Sequence, residues 1–145
     1  MGFPVRTLDG LRGEWHLEGE VLGKALVQEV RVDWVLGGAY LKMDYLPSTV
    51  TPLTEEPYEA VAFIGWDPQG QGHFVMSLFD TFGAAYSSPG IGSPLDGGGI
   101  RFYFEYPQGG FVTDLIPEGD GWRIRQFSRE EGRLVPFGVK HLSPR

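Results

Sequence analysis

From Leu11 to Val21 the chain alternates with almost no break between two kinds of side chain. Gly13, Trp15, Leu17, Gly19 and Val21 fall on one side, and Glu14, His16, Glu18 and Glu20 on the other. Only an extended chain, whose successive side chains point to opposite faces, sorts such a sequence into a dry and a wet surface. The stretch is therefore a β-strand, and its dry face must be matched by other strands.

The rest of the sequence supplies them. Turn signals recur at Gly23-Lys24, Gly37-Gly38, Asp67 to Gly72, Asp96 to Gly99, Pro107 to Gly110, Pro117 to Gly121 and Glu130 to Gly132. Glycine provides the positive φ of tight hairpins, and Asp or Pro sets up the turn before it. The intervening segments are β-branched and aromatic, as strands prefer. Strands are expected at 13–22, 25–36, 39–46, 57–66, 73–79, 83–88, 99–106, 110–116, 122–129 and 133–142. About ten strands in up-and-down order suit an all-β, antiparallel closed barrel, which leaves no edge exposed. An open two-sheet sandwich is the alternative.

Helix is nearly absent. Thr7 to Leu11 has room for one short turn before the first strand. Pro47 to Pro57 holds three prolines and is expected to be a loop at one rim. Pro89 to Asp96, rich in Gly and Pro, is expected to be irregular. Residues 1–145 form a single domain with no internal repeat, long enough to bury a core without a metal or disulfide.

The Gly13-x-Trp15 opening resembles that of calycin barrels (lipocalins, fatty-acid-binding proteins, avidins and nitrobindins), where the Trp plugs the closed end. Further segments, in order, resemble an uncharacterised bacterial calycin-like family. These are Val32 to Leu41, Gly65-Trp66-Asp67, Phe79 to Gly83 and Gly132 to Phe137. The resemblance implies a calycin-like, lipocalin-like barrel with Gly13 and Trp15 as its structural plug, and it implies no activity. The chain is similar, more distantly, to nitrobindins, although Leu17 stands where their Gly-x-Trp-x-Gly-x-Gly opening has its middle glycine. That likeness implies haem held by a His near the end of the last strand, here His141.

Charge and composition narrow the partners. A net charge of −7 argues against nucleic acid, whose binders neutralise phosphates with Lys and Arg. The absence of cysteine excludes thiolate chemistry and fits a cytoplasmic location. No apolar run approaches the ~20 residues of a membrane-spanning helix, and the first residues lack an apolar core of signal-peptide length.

Candidate chemistry is sparse. In Leu134 to Leu142, Val135, Phe137, Val139 and His141 share the more apolar face, so His141 is expected inward or at a rim. Closure of the barrel would bring it near Trp15, where a packing role competes with haem ligation. His16 lies among Glu14 and Glu18, a conceivable metal set, but a solvated outer face explains it better because no second His is suitably spaced. His73 has no obvious partner. Ser87 or Ser88 with Asp80 and a His makes a triad on paper, without a nucleophile elbow. Gly70-Gln71-Gly72 and Gly90-Ile91-Gly92 read as turns, since no helix follows to bind phosphate. No catalytic residue, metal or cofactor is expected.

The strands hint instead at a pocket. Ile100, Phe102, Phe104 and Tyr106 share one face, Gln28 interrupts an otherwise apolar face, and the face Trp122-Ile124-Gln126-Ser128 ends in two polar groups. A few polar groups in an aromatic lining make a small-molecule site. The expected ligand-binding set is Gln28, Tyr45, Phe102, Phe104, Tyr106 and Gln126. Arg123, Arg125 and Arg129 are expected outside, because unpaired buried arginines are costly. The function expected is non-catalytic binding of a small lipophilic molecule in the barrel. The alternatives are haem on His141, or a barrel filled with side chains that acts as an interaction or homodimerisation module.

Overall fold

The computed structural model describes residues 5–48, 57–69, 72–86, 88–107 and 109–145. Its strands are β1 (Gly13–Val21), β2 (Lys24–Val35), β3 (Tyr40–Tyr45), β4 (Ala60–Asp67), β5 (His73–Asp80), β6 (Gly90–Pro94), β7 (Ile100–Tyr106), β8 (Gly109–Glu118), β9 (Gly121–Glu130) and β10 (Arg133–Pro144). Each pairs antiparallel with its neighbours in the chain, and β10 returns to β1, giving a closed up-and-down barrel of ten strands. No helix of the described residues is long and apolar enough to cross a membrane.

The alternation read from Gly13 to Val21 holds. Trp15, Leu17 and Val21 are buried while Glu14, Glu18 and Glu20 are exposed. A helical turn, Val5–Leu8, and a 3₁₀ turn, Asp9–Leu11, precede β1 and bury Leu8 and Leu11 beneath it. Two indoles pin this segment: Trp15 Nε1 donates to Leu11 O at 2.8 Å, and Trp122 Nε1 to Gly10 O at 3.2 Å. Leu8, Leu11, Trp15 and Trp122 thus plug one end of the barrel. Gly13 enters it at φ 139°, a conformation open to glycine and costly to other residues.

The sixth strand departs from expectation. Where a strand was expected at 83–88, Gly83–Tyr86 is a 3₁₀ turn, and β6 lies at Gly90–Pro94, in the stretch expected to be irregular. Its glycines make room for aromatic rings rather than for a turn. A Cβ on Gly90 would stand 2.5 Å from the Phe104 ring, and one on Gly92 2.6 Å from the Phe102 ring.

The last strand departs as well. Pairing of β10 with β9 skips from Pro136↔Phe127 to Gly138↔Gln126, so Phe137 is an extra residue in a β-bulge. Its carbonyl accepts a hydrogen bond from Leu22 N at 2.7 Å. One inserted residue reverses the in–out alternation of everything beyond it. Val135 and Phe137 keep the inward side, but after the bulge Gly138, Lys140 and Leu142 take it. His141 is therefore outside, contrary to expectation, with Nδ1 3.3 Å from Glu118 and its side chain 54% exposed.

Arg123, Arg125 and Arg129 lie outside as expected. Between β7 and β9, Asp114 on the outer face is nevertheless fully buried. Arg101 donates to both of its carboxylate oxygens (2.7 and 2.9 Å), Arg125 adds 2.8 Å, and both guanidiniums lie over Phe127.

Candidate functional site: an open cup with a buried lysine

Inward side chains differ sharply between the two halves of the barrel. Toward the plug, Leu17, Val30, Leu41, Ile64, Ile100 and Leu115 are sealed from solvent. Toward the other end, Tyr106, Phe111, Thr113, Gln126, Ser128 and Phe137 also point inward by register, yet are only half-buried. An inward side chain of a closed barrel reaches solvent only through an open end. The interior is thus a solid plug below, and above it a mouth, the cup, whose inward side chains are within reach of solvent. Ten strands enclose more width than the eight or so that side chains fill unaided, which accommodates both.

The cup wall is aromatic. Phe104 stacks on Tyr106 with centroids 6.0 Å apart, Tyr106 meets Phe111 at 5.5 Å, and Phe111 meets Phe137 edge-on at 5.9 Å. Phe102 lies deeper and is fully buried in the plug, against Gly92. The expected aromatic series is thus divided between filling and lining. Ala62 points inward and is buried.

The opposite rim is polar and is organised by Tyr58, a residue the sequence did not single out. Its amide donates to Ser48 Oγ at 3.0 Å, and its carbonyl accepts from Ser48 N and from Gln28 Nε2, both at 2.9 Å. Its hydroxyl donates to Asp80 Oδ2 at 3.0 Å, while Asp80 Oδ1 accepts from Phe82 N at 3.0 Å. Phe82 covers the Tyr58 ring at 6.0 Å. Burial, then the Asp80 carboxylate, raises the Tyr58 hydroxyl well above its usual pKa, and burial raises that of Tyr45. Both phenols are neutral across the physiological range.

Beneath Tyr58 lies Lys140, 6% exposed, with Nζ 5.8 Å from the ring centroid. Among the described residues its ammonium makes no hydrogen bond or ion pair. Burial lowers its pKa to about 8, and Asp80 opposes that shift. Toward this end of the interior, Gln28 Oε1 and Gln126 Oε1 are buried without a hydrogen-bond partner. Gln28 is 1% exposed, and Gln126 faces Gly138, one row above the Ile124↔Lys140 pair.

The expected set is thus brought together in part. Gln28 joins the Tyr58 cluster. Tyr45 also points inward near the rim, its hydroxyl 3.9 Å from Met43 Sδ. Tyr106 and Gln126 lie in the cup with Phe104. Tyr58 and Lys140 were not singled out, and Asp80 was weighed only as a triad member. The Lys140 signal was hidden by the bulge, and Tyr58, expected within a strand at 57–66, instead precedes β4, just after the proline-rich stretch expected to be a loop. Most of that loop, residues 49–56, lies outside the described residues, as do Ser87 and Gly70-Gln71 of the other motifs.

Two surface depressions lie at this same end. One, of about 480 Å³, notches the rim between Glu20, Leu22, Pro136 and Phe137. The other, of about 360 Å³, lies between Tyr45, Glu59, Asp80 and Thr81.

His16 stands on the outer face with Nδ1 2.9 Å from Glu29 and Nε2 3.0 Å from Glu18, and the hydrogen bond to Glu29, then that to Glu18, raises its pKa. Among the described residues no group of three or more His, Cys, Asp or Glu is placed to hold a metal ion. His73 faces Asp67 at 3.5 Å.

No family model matches the chain, and no curated protein matches it. Its class therefore rests on the fold, a closed ten-stranded antiparallel barrel.

Proposed function

We propose that this protein is a calycin-like binding protein of the cytoplasm that takes up a small, mostly apolar molecule through the open end of the barrel. The observation that carries this reading is the half-burial of inward aromatic side chains around a buried, unsatisfied polar floor. Aromatic surface favours an apolar guest by roughly 25 cal/mol per Å² removed from water. The unpartnered oxygens Gln28 Oε1 and Gln126 Oε1 would fix its orientation. Outward placement of His141 removes the geometry on which haem ligation depended.

Uptake of a neutral solvatochromic dye such as Nile red tests the reading. Stoichiometric binding with a blue shift is expected, and Thr113→Trp, which fills the cup, should abolish it while leaving the melting temperature high. A dye that binds Thr113→Trp as well as wild type would place the site elsewhere.

A second reading, an interaction or homodimerisation module, draws on the outer wall. Tyr40, Phe79, Ile91 and Tyr103 are exposed there, and Phe63 bridges Tyr40 and Phe79 through edge-on contacts at 6.4 and 6.5 Å. Sedimentation equilibrium tests it; Phe79→Lys should dissociate any dimer built on this wall.

A further inference from the structure

We propose that the molecule bound in the cup carries a carboxylate, which docks on the Lys140 ammonium at the cup floor. This rests on the reading of the cup as a binding site, and names the chemical class of its guest. Three independent features of the geometry support it.

The first is the placement of Lys140. It is inward on β10, opposite Gly19 on β1 and Ile124 on β9, in the row below Gln126 and Gly138. Gly19 has no side chain to fill the space, and the Lys140 stem lies across it: a Cβ there would stand 3.0 Å from Lys140 Cγ. The stem is therefore packed along the wall while the ammonium is held under the mouth.

The second is the lack, among the described residues, of an anion paired with it. Asp80 is the acidic group that acts on Lys140, but its two oxygens already accept from the Tyr58 hydroxyl and the Phe82 amide, and no ion pair joins it to Nζ. Tyr58 offers only its ring face, an interaction weaker than a carboxylate would make. Buried ammonium groups are costly unless paired and hydrogen-bonded. A guest carboxylate would supply the missing counter-charge and accept one or two of the three N–H donors.

The third is polarity along the cup. Phe104, Tyr106, Phe111 and Phe137 line one side above the polar floor, so an amphiphile placing its charged end on Lys140 would lay its chain against aromatic rings. A neutral guest would leave the ammonium as desolvated as before, so discrimination between acid and alcohol is built into the site.

The experiment compares dodecanoate and dodecanol as competitors for the neutral dye, by fluorescence at pH 7 and below the critical micelle concentration. Wild type should bind the acid at least about tenfold more tightly than the alcohol, the scale of one charge-assisted hydrogen bond. Lys140→Met should abolish that preference while still binding dye and alcohol. Lys140→Gln provides the same test if the Met variant fails to fold. Equal affinity of wild type for acid and alcohol would overturn the carboxylate proposal and leave the apolar binding site standing. Absence of dye uptake by wild type would overturn both.

Discussion

Gly19 and Lys140 face each other across the β1–β10 ladder so closely that a single methyl group on Gly19 would collide with the opposite strand. Its Cβ would lie 2.2 Å from Val139 O and 2.7 Å from Lys140 Cα. Backbone atoms cannot swing aside as a flexible side chain can, so the seam that closes the barrel would have to open. Gly19→Ala should therefore destabilise the protein by about 1–3 kcal/mol, the usual cost of overpacking. Thermal unfolding checks this, with Gly23→Ala as a contrasting case: Gly23 has open space but φ of 77°, so its penalty is conformational.

Inward and outward placement predict opposite results for two residues that the sequence placed together. Trp15 is buried in the plug and hydrogen-bonded to Leu11, so Trp15→Ala should cost about 3–5 kcal/mol. His141 is outside and half-exposed beside Glu118, and such surface pairs contribute little. His141→Ala should change stability by no more than about 0.5 kcal/mol. Comparable losses from both variants would contradict the parity reversal at Phe137.

That reversal marks where sequence reasoning ran out. The alternation from Gly13 to Val21 was legible because each strand position obeys one local rule, and the hairpin turns were legible because their glycines need positive φ. Gly90 and Gly92 look the same in the sequence but answer to rings on the neighbouring strand β7, Phe104 and Phe102. Nothing near them in the chain announces that. The bulge is subtler: Pro136-Phe137-Gly138 reads as continuous alternation, and only pairing with Phe127 and Gln126 reveals the extra residue. From that one residue follows the exchange of His141 for Lys140 inside the barrel. Gln28 and Gln126 were found because a polar residue on an apolar face is a local anomaly. Asp80 and Tyr58 were not, since their roles arise from the meeting of β5 with the segment before β4.

A different buried charge tests how the outer wall is held. Asp114 is sealed from solvent between Arg101 and Arg125, and its hydrogen bonds, chiefly, raise the Arg101 pKa. Replacing it by Asn keeps the shape and removes the charge that both guanidiniums share. Asp114→Asn should cost about 2–3 kcal/mol, in the range for hydrogen bonds to charged groups. The loss should persist in molar salt, because a sealed carboxylate is poorly screened. Asp33→Asn, which disrupts the exposed pair with Arg12, should have almost no effect.

Lys140 gives the pH dependence, and its sign follows from proton binding. Its pKa is about 8 in the fold against an ordinary 10.5, so between those values the unfolded chain binds more protons than the folded one. Stability then rises with pH through this window and is lowest, for this residue, below about pH 8. At about 1.4 kcal/mol per pKa unit, the shift corresponds to a penalty on the order of 3 kcal/mol at pH 7. Lys140→Met, which keeps much of the stem and removes the charge, should therefore raise the melting temperature at pH 7. Its advantage over wild type should shrink as pH approaches 10. Tyr45 and Tyr58 act oppositely above pH 10, where unfolded phenols ionise and folded ones do not, but they contribute equally to both proteins and cancel in the difference. The measurement is the gap in melting temperature between wild type and Lys140→Met from pH 6 to 10. A gap independent of pH would mean that the ammonium is already neutralised in the fold. A saturating carboxylate guest should narrow the gap at pH 7 by stabilising wild type, since pairing the ammonium relieves the same penalty that deleting it removes.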